Sequence, residues 1–224
     1  MEDYQREFIR FIFERGALKF GEFTTKSGRK SPYFFNAGGL HTGADLIKLG
    51  SFYGQALNNH FKPTPDIIYG PAYKGVPLSV VTASALCSQF QAEVSYCFNR
   101  KEAKDHGEKG TFVGKVPQKG DSLVIVDDVM TAGTSVRETL DLLKPIEGLN
   151  VQGILVALDR QERGLSSTQS ALDEIRAEFG LKVQAIVSLE HIFTMLNEGG
   201  LAEVPAEMTA KIKAYRDEYG TSPI

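Results

Sequence analysis

Residues 123–135 read LVIVDDVMTAGTS and show most clearly how this chain folds. Its first four residues are all apolar, which is typical of a strand that is buried on both faces of a parallel sheet. An acid pair, Asp127 and Asp128, follows directly, and small residues then lead into a helical pattern over residues 134–143. The stretch therefore predicts a strand, a short loop and a helix.

The loop after the acid pair has the composition of a phosphate site. Gly133 and its small neighbours allow a tight turn in which backbone N–H groups and the helix N-terminus converge on an anion. Thr131, Thr134 and Ser135 can add hydroxyl donors. The acid pair would repel a phosphate, so it suits ribose hydroxyls or a nearby magnesium ion. We predict a sugar-phosphate site here, although the same residue types could simply cap the helix.

The rest of the chain alternates between helical and strand patterns. Helical patterns cover residues 4–15, 45–60, 76–90, 134–143 and 205–219. Strand patterns cover residues 67–69, 93–98, 123–126, 151–158 and 183–187. Because the strands are mostly apolar runs separated by helices, we predict one α/β domain, 1–224, with a mainly parallel twisted sheet flanked by helices. Ligands of such sheets bind beyond the carboxyl ends of the strands.

A turn at residues 70–75, which read GPAYKG, follows a second predicted strand. Two glycines and a proline make a tight turn, and the Lys74 ammonium adds a positive charge to its backbone amides. The turn is either a second anion site or a simple turn with a solvated lysine. Its position at a strand end favours the anion site.

The third strand-end segment, residues 99–110, reads NRKEAKDHGEKG. It is too rich in charge to be buried. One interpretation is a solvated hairpin loop. The other is a lid that closes over a polyanion and excludes water. The cations of such a lid would be Arg100, Lys101, Lys104 and His106.

Composition limits the possible partners and compartments. Hydrophobic residues make up 42% of the 224 residues, enough for a buried core, and the net charge of −3 gives no general attraction to nucleic acid or anionic lipid. No apolar run is long enough to span a bilayer, and the acidic start of the chain is unlike a secretion signal. We therefore expect a cytoplasmic protein with no nucleic-acid or membrane partner.

Cys87 and Cys97 lack metal-ligand spacing, so both should be buried, reduced thiols.

Two common nucleotide-binding motifs are missing from the sequence. It contains no Gly-x-x-x-x-Gly-Lys-Ser/Thr pattern, and no Gly-x-Gly-x-x-Gly opens a helix after the first strand. An ordinary nucleoside triphosphatase is therefore disfavoured.

Taken together, these segments resemble a known family. Residues 123–134 look like the phosphoribosyl-diphosphate signature of the type I phosphoribosyltransferases. Residues 31–36 (SPYFFN), 70–75, 99–107 and 158–163 (LDRQER) are similar to the orotate phosphoribosyltransferases. The resemblance extends from about residue 4 to residue 220. Ser135 departs from the alanine of many relatives, and residues 164–169 look like an insertion.

The resemblance implies a pentosyltransferase that joins orotate N1 to phosphoribosyl diphosphate, with Mg2+ as cofactor, in pyrimidine biosynthesis. It implies a small hood over residues 1–40, a core over 41–224, and a homodimer with shared active sites. It also places a non-proline cis peptide at Ala72-Tyr73. The residues implied to bind the donor are Lys26, Tyr73, Lys74, Arg100, Lys101, Lys104, His106, Asp127, Asp128, Val129, Met130, Thr131, Ala132, Gly133, Thr134 and Ser135. Those implied to bind orotate are Lys26, Phe34, Phe35, Thr131 and Arg160.

The reaction of that family separates charge, since the ribose carbon becomes positive as the diphosphate leaves. Preorganised cations at the leaving group would lower the barrier without a covalent intermediate. The implied catalytic residues are Arg100, Lys101, Lys104 and His106, on a loop that reaches the neighbouring subunit's site. His106 is a candidate proton donor.

Two other functions stay open at this stage. A phosphoribosyltransferase for a different base would keep residues 127–135 but would not need Arg160 or the Phe34-Phe35 pair. A regulator that binds phosphoribosyl diphosphate without catalysis should carry a DNA-binding element, and we find no helix-turn-helix or strong basic patch.

Overall fold

The computed structural model describes residues 1–25, 28–101, 110–164 and 167–221. The helices are α1 (Asp3–Glu14), α2 (Gly43–His60), α3 (Gly75–Phe90), α4 (Thr134–Leu143), α5 (Ala171–Phe179), α6 (Leu189–Asn197) and α7 (Glu207–Tyr219), with a 3-10 turn at Ala37–Gly39. The strands are β1 (Leu18–Thr24), β2 (Lys30–Phe35), β3 (Ile67–Tyr69), β4 (Ser95–Asn99), β5 (Phe112–Gly114), β6 (Ser122–Val129), β7 (Asn150–Asp159) and β8 (Lys182–Ser188).

The central sheet has the strand order β5-β4-β3-β6-β7-β8. In this order the strands β4, β3, β6, β7 and β8 are parallel to their neighbours, and β5 is antiparallel to β4 at one edge. The prediction of an α/β fold with a mainly parallel sheet is confirmed. Strands β1 and β2 form a separate antiparallel hairpin.

Successive residues of the central strands face opposite sides of the sheet, and both sides are covered. In β6, Val124 and Val126 pack in a core with residues of α1, α2, α3, α6 and α7. Leu123 and Ile125 pack in a second core with residues of α4 and α5. All four side chains are fully buried. This two-sided burial explains why the strand appears in the sequence as an unbroken apolar run.

The sequence patterns did not reveal five elements: β1 and β2, which form the hairpin, and β5, α5 and α6. In β1, Gly21 interrupts the alternation of apolar and polar residues, and in β2, Pro32 comes directly before a short apolar run at 33–35. Helices α5 and α6 are short, but each begins at a serine whose hydroxyl accepts from a backbone N–H three residues later. Those serine caps, Ser170 and Ser188, are the signal that could have found both helices.

The two cysteines occupy different environments. Both are free thiols, and Cys97 is buried in β4 as predicted. The prediction for Cys87 is wrong, because its side chain is exposed on α3. Helix α3 buries the face that carries Leu78, Thr82 and Leu86, whereas the side chain of Cys87, in the last turn of the helix, is exposed. Among the described residues, none of the helices is both long and apolar enough to cross a membrane.

Candidate active site

The strand order reverses between β3 and β6, and this reversal opens a crevice. From β3 the chain continues through α3 to β4 on one side, whereas from β6 it continues through α4 to β7 on the other. A crevice at the carboxyl ends of such a strand pair is the usual ligand site of an open parallel sheet. The turn at 70–75 and the acid pair both lie there, because β3 and β6 are parallel neighbours.

Lys74 connects three parts of this crevice. Its Nζ lies 2.7 Å from Oδ2 of Asp128 and 3.2 Å from Oδ1 of Asn36. The Asp128 side chain is only 5% exposed, whereas that of Lys74 is 56% exposed. The predicted cation and the predicted carboxylate are thus in direct contact, and Asn36 attaches the hairpin to them. Sequence reasoning gave Asn36 no separate role, although it ends the SPYFFN run.

The other acid of the pair is also well fixed. The Asp127 carboxylate Oδ1 accepts the backbone N–H of Asp128 at 2.8 Å, and the Tyr53 hydroxyl of α2 donates to the Asp127 carbonyl at 2.8 Å. Burial, together with the nearby Asp128 charge, raises the pKa of Asp127 from 3.8 to about 6. A carboxyl group with this pKa changes its charge close to physiological pH.

The loop before α4 exposes donors where the sequence predicts a phosphate. Gly133 has φ +69° and forms the N-cap of α4, so its left-handed backbone is one that glycine adopts readily. Thr131, Thr134 and Ser135 are exposed. In the described part of the chain, no side chain caps the N-terminus of α4. The alternative that these residues merely cap the helix therefore has no support.

The turn at 70–75 depends on two glycines and an asparagine. A Cβ on Gly70 would lie 1.9 Å from the Gly75 carbonyl oxygen, so the two ends of the turn can meet only without a side chain at this position. The Ala72-Tyr73 peptide is cis, as expected. The N–H of Ala72 donates to Oδ1 of Asn99 at 3.1 Å, which ties the turn to the end of β4. Asn99 is a positioning contact that sequence reasoning missed.

Tyr73 and Lys101 approach each other at the mouth of the crevice. Tyr73 is 72% exposed, and the Nζ of Lys101 lies 5.0 Å from the centre of its ring. The N–H of Arg100 donates to the Thr111 carbonyl at 2.7 Å, which fixes the base of the charged segment. Lys26, Lys104 and His106 lie outside the described residues.

Arg160 lies in a largely buried polar cluster after β7. Its guanidinium lies 4.5 Å from the centre of the Tyr33 ring, and Nη2 is 2.5 Å from Oε1 of Glu162. The Tyr33 hydroxyl donates to the same oxygen at 3.1 Å, and Arg29 lies 3.9 Å from Oε2 of Glu162. Burial lowers the pKa of Arg160, but Tyr33 and Glu162 raise it more, so the guanidinium stays charged.

The two adjacent phenylalanines of β2 point in opposite directions. Phe34 is 43% exposed and stacks on Phe23 with ring centroids 5.4 Å apart. Phe35 is 5% exposed and packs in the hydrophobic core. The exposed ring of Phe34 can meet a planar ligand, whereas the Phe35 side chain cannot without leaving the core. The expected contact of Phe35 with orotate stays a prediction.

The donor set at the crevice suits a magnesium ion that is held mostly by its substrate. Among the described residues there is no group of three or more His, Cys, Asp or Glu side chains that could hold a metal ion. Magnesium commonly takes one or two carboxylates together with substrate phosphates and water. The acid pair can supply such carboxylates, so the residues present fit this mode of binding.

Comparison with known proteins gives consistent matches. Residues 40–187 match the family model of the phosphoribosyl transferase domain. The chain is 46% identical over 223 residues to the orotate phosphoribosyltransferase of Clostridium beijerinckii, covering 98% of this chain and 99% of that protein. It is 50% identical over 220 residues to that of Pseudomonas aeruginosa, covering 98% and 100%. The crystal structure of orotate phosphoribosyltransferase from Francisella tularensis matches with a TM-score of 0.84 and 39% identity, covering 96% and 99%.

Proposed function

The chain belongs to the orotate phosphoribosyltransferase family, and we propose that its active site is the crevice between the ends of β3 and β6. The enzyme is a pentosyltransferase. It transfers the phosphoribosyl group of phosphoribosyl diphosphate to N1 of orotate, giving orotidine 5′-monophosphate and diphosphate in pyrimidine biosynthesis. The observation that carries the placement is the contact between Lys74 and Asp128 at the switch point of the sheet.

The donor binds along the carboxyl ends of the strands. Its 5′-phosphate accepts hydrogen bonds from the uncapped N-terminus of α4 and from the hydroxyls of Thr131, Thr134 and Ser135. The acid pair accepts hydrogen bonds from the ribose hydroxyls, because an ionised carboxylate has acceptor oxygens only. The open helix end and the exposed hydroxyls support this assignment.

The diphosphate lies against the turn at 70–75. Lys74 and the backbone of Tyr73 face this group, with Arg100 and Lys101 at the base of the charged segment. As the bond to the ribose carbon breaks, negative charge grows on the diphosphate, and cations fixed in advance stabilise it most. Lys104 and His106 complete this set in our proposal, with His106 as proton donor to the leaving group. When bound, Mg2+ neutralises part of the diphosphate charge.

Orotate binds between the hairpin and the end of β7. The Arg160 guanidinium receives the orotate carboxylate, since its planar N–H groups match a carboxylate in a bidentate contact. The exposed ring of Phe34 covers the base, Thr131 and Lys26 contact it, and Phe35 contributes through its main chain. The charged guanidinium of Arg160 and the exposed ring of Phe34 together support an anionic, planar acceptor in place of a neutral purine.

A homodimer in the cytoplasm completes the proposal. Apolar side chains are exposed on α2 and α3, with Ile47 at 76% and Val80 at 40%, and a second copy of the chain would cover them. In this dimer the part of the 99–110 segment that carries Lys104 and His106 serves the other subunit's site. Sedimentation velocity at micromolar concentration tests this, because a monomer of 24.6 kDa would contradict the shared site.

A direct assay tests the whole proposal. Protein, Mg2+, phosphoribosyl diphosphate and orotate are mixed, and the loss of orotate absorbance is followed with time. Turnover with orotate and none with adenine, hypoxanthine or uracil is expected. Turnover with a purine alone would favour another phosphoribosyltransferase. Donor binding without turnover of any base would favour a regulator.

A further inference from the structure

Arg137 joins the phosphate loop to a neighbouring helix. It lies in the first turn of α4, and its Nη1 donates to the Ala132 carbonyl at 2.6 Å. Its Nε donates to Oε2 of Glu178 in α5 at 2.9 Å, and its Nη2 lies 2.8 Å from the same oxygen. Glu174 of α5 lies 3.9 Å away. One guanidinium thus bridges a loop carbonyl and a helix carboxylate.

The Ala132 carbonyl matters because it belongs to the loop that receives the donor's 5′-phosphate. A carbonyl oxygen that turned toward that phosphate would repel it, and the neighbouring N–H groups would turn away at the same time. A hydrogen bond from a charged donor is among the stronger ways to hold a backbone carbonyl in one direction. Arg137 donates a hydrogen bond to the Ala132 oxygen, so the N–H groups of the loop can point toward the ligand.

The same region is packed so closely that it leaves the loop little freedom. A Cβ on Gly133 would lie 2.9 Å from Nη1 of Arg137 and 3.1 Å from Cδ1 of Ile175 in α5. The Arg137 N–H also donates to the Gly133 carbonyl at 2.9 Å, in the first turn of α4. Helix α5 therefore supports the loop through the Arg137–Glu178 ion pair and through the close approach of Ile175 to Gly133.

We propose that Arg137 is a positioning residue for the 5′-phosphate, which it serves by anchoring the Ala132 carbonyl to Glu178. This inference rests on the proposed function, because it takes the loop as the phosphate site. It predicts a defect limited to ligands that carry a 5′-phosphate. Phosphoribosyl diphosphate and orotidine 5′-monophosphate carry one, whereas orotate and free diphosphate do not.

The test compares four ligands in Arg137→Met. KM for phosphoribosyl diphosphate should rise about tenfold, and inhibition by orotidine 5′-monophosphate should weaken by a similar factor, as expected for loss of one charge-assisted hydrogen bond. KM for orotate at saturating donor, and inhibition by diphosphate, should stay within about twofold. Equal weakening for all four ligands, or no change for the two phosphate esters, would overturn the proposal.

Arg137→Lys separates positioning from simple positive charge. A single ammonium cannot contact the Ala132 carbonyl and Glu178 with the geometry of the guanidinium fork. We therefore expect Arg137→Lys to resemble Arg137→Met, and recovery of the wild-type constants would mean that charge alone is sufficient. Glu178→Gln should give a smaller defect of the same kind, and unchanged constants there would contradict the anchoring by α5.

Arg6→Met is the matched control for folding. Arg6 of α1 also pairs with a glutamate, Glu198, which directly follows α6, and its side chain is 31% exposed against 32% for Arg137. Its kinetic constants should equal those of the wild type. If wild-type protein fails to consume orotate, the proposed function is wrong. If it turns over normally and Arg137→Met keeps its donor constants, only the inference about Arg137 is wrong.

Discussion

The Nζ of Lys74 lies 2.7 Å from Oδ2 of Asp128, so the cation of one strand-end turn neutralises a buried carboxylate of the neighbouring strand. In the proposed complex Lys74 faces the diphosphate and Asp128 faces the ribose. The donor therefore bridges two residues that already touch. The pair fixes both groups before the substrate arrives, which is the arrangement that electrostatic catalysis requires.

Lys74→Met should reduce kcat/KM for phosphoribosyl diphosphate by roughly 100- to 1000-fold, the usual loss for one preorganised charge at a reacting group. Lys74→Arg should retain more activity because it keeps the charge. Steady-state kinetics with varied donor measure both. The assignment of Lys74 to the diphosphate would be wrong if Lys74→Met changed KM for orotate alone.

The pKa of Asp127 predicts a pH dependence of donor binding. Burial beside Asp128 raises this pKa to about 6, so Asp127 is protonated in the free enzyme below that pH. A protonated carboxyl accepts hydrogen bonds from the ribose hydroxyls poorly. KM for the donor should therefore rise by up to about tenfold per pH unit below 6. The 5′-phosphate titrates near the same pH. Asp127→Asn is therefore the control: it should bind the donor more weakly but lose this part of the pH dependence. The same slope in both proteins would mean that the substrate alone titrates.

The same shift predicts a pH dependence of stability. The folded chain holds the Asp127 proton more tightly than the unfolded chain, whose pKa is near 3.8. Stability should therefore fall as pH rises from about 4 to about 6 and then stay lower, by at most about 3 kcal/mol for a shift of about two units. Urea denaturation should find Asp127→Asn more stable than wild type at pH 8 and nearly equal at pH 4. A loss of stability at pH 8 would contradict the raised pKa.

The sequence predicted the central sheet well because buried parallel strands leave a clear signal. The apolar run at 123–126 and the acids after it placed β6 and the crevice correctly, and the helix at 134–143 matches α4 in full. Patterns could not show the contacts that order the site. Asn99 and Glu178 act through hydrogen bonds to residues 27 and 41 positions away, and no local periodicity records such pairs.

Arg160 and Glu162 give the next prediction. Arg160→Gln should raise KM for orotate at least about tenfold and leave KM for the donor nearly unchanged, because a neutral amide cannot pair with a carboxylate. Glu162→Gln should raise KM for orotate more modestly, since Glu162 holds the guanidinium beside Tyr33. Breaking a buried pair also costs stability, about 3–5 kcal/mol at most, so melting curves must accompany the kinetics. Improved orotate binding in Glu162→Gln would mean that Glu162 competes with the substrate for Arg160.

Phe34 and Phe35 are neighbours in one strand, but their alanine variants should have different defects, one in orotate binding and the other in stability. Phe35 is 5% exposed in the core, so Phe35→Ala should cost about 3–5 kcal/mol of unfolding free energy through lost burial and a cavity. Phe34 is 43% exposed, so Phe34→Ala should change stability by less than about 1 kcal/mol while it raises KM for orotate several-fold by removing a stacking surface. Urea denaturation and orotate kinetics on the two variants measure both effects. Side chains of a strand alternate between its two faces. If Phe34→Ala cost as much unfolding free energy as Phe35→Ala, the register of β2 would be reversed. The ring assigned to orotate would then be a core residue.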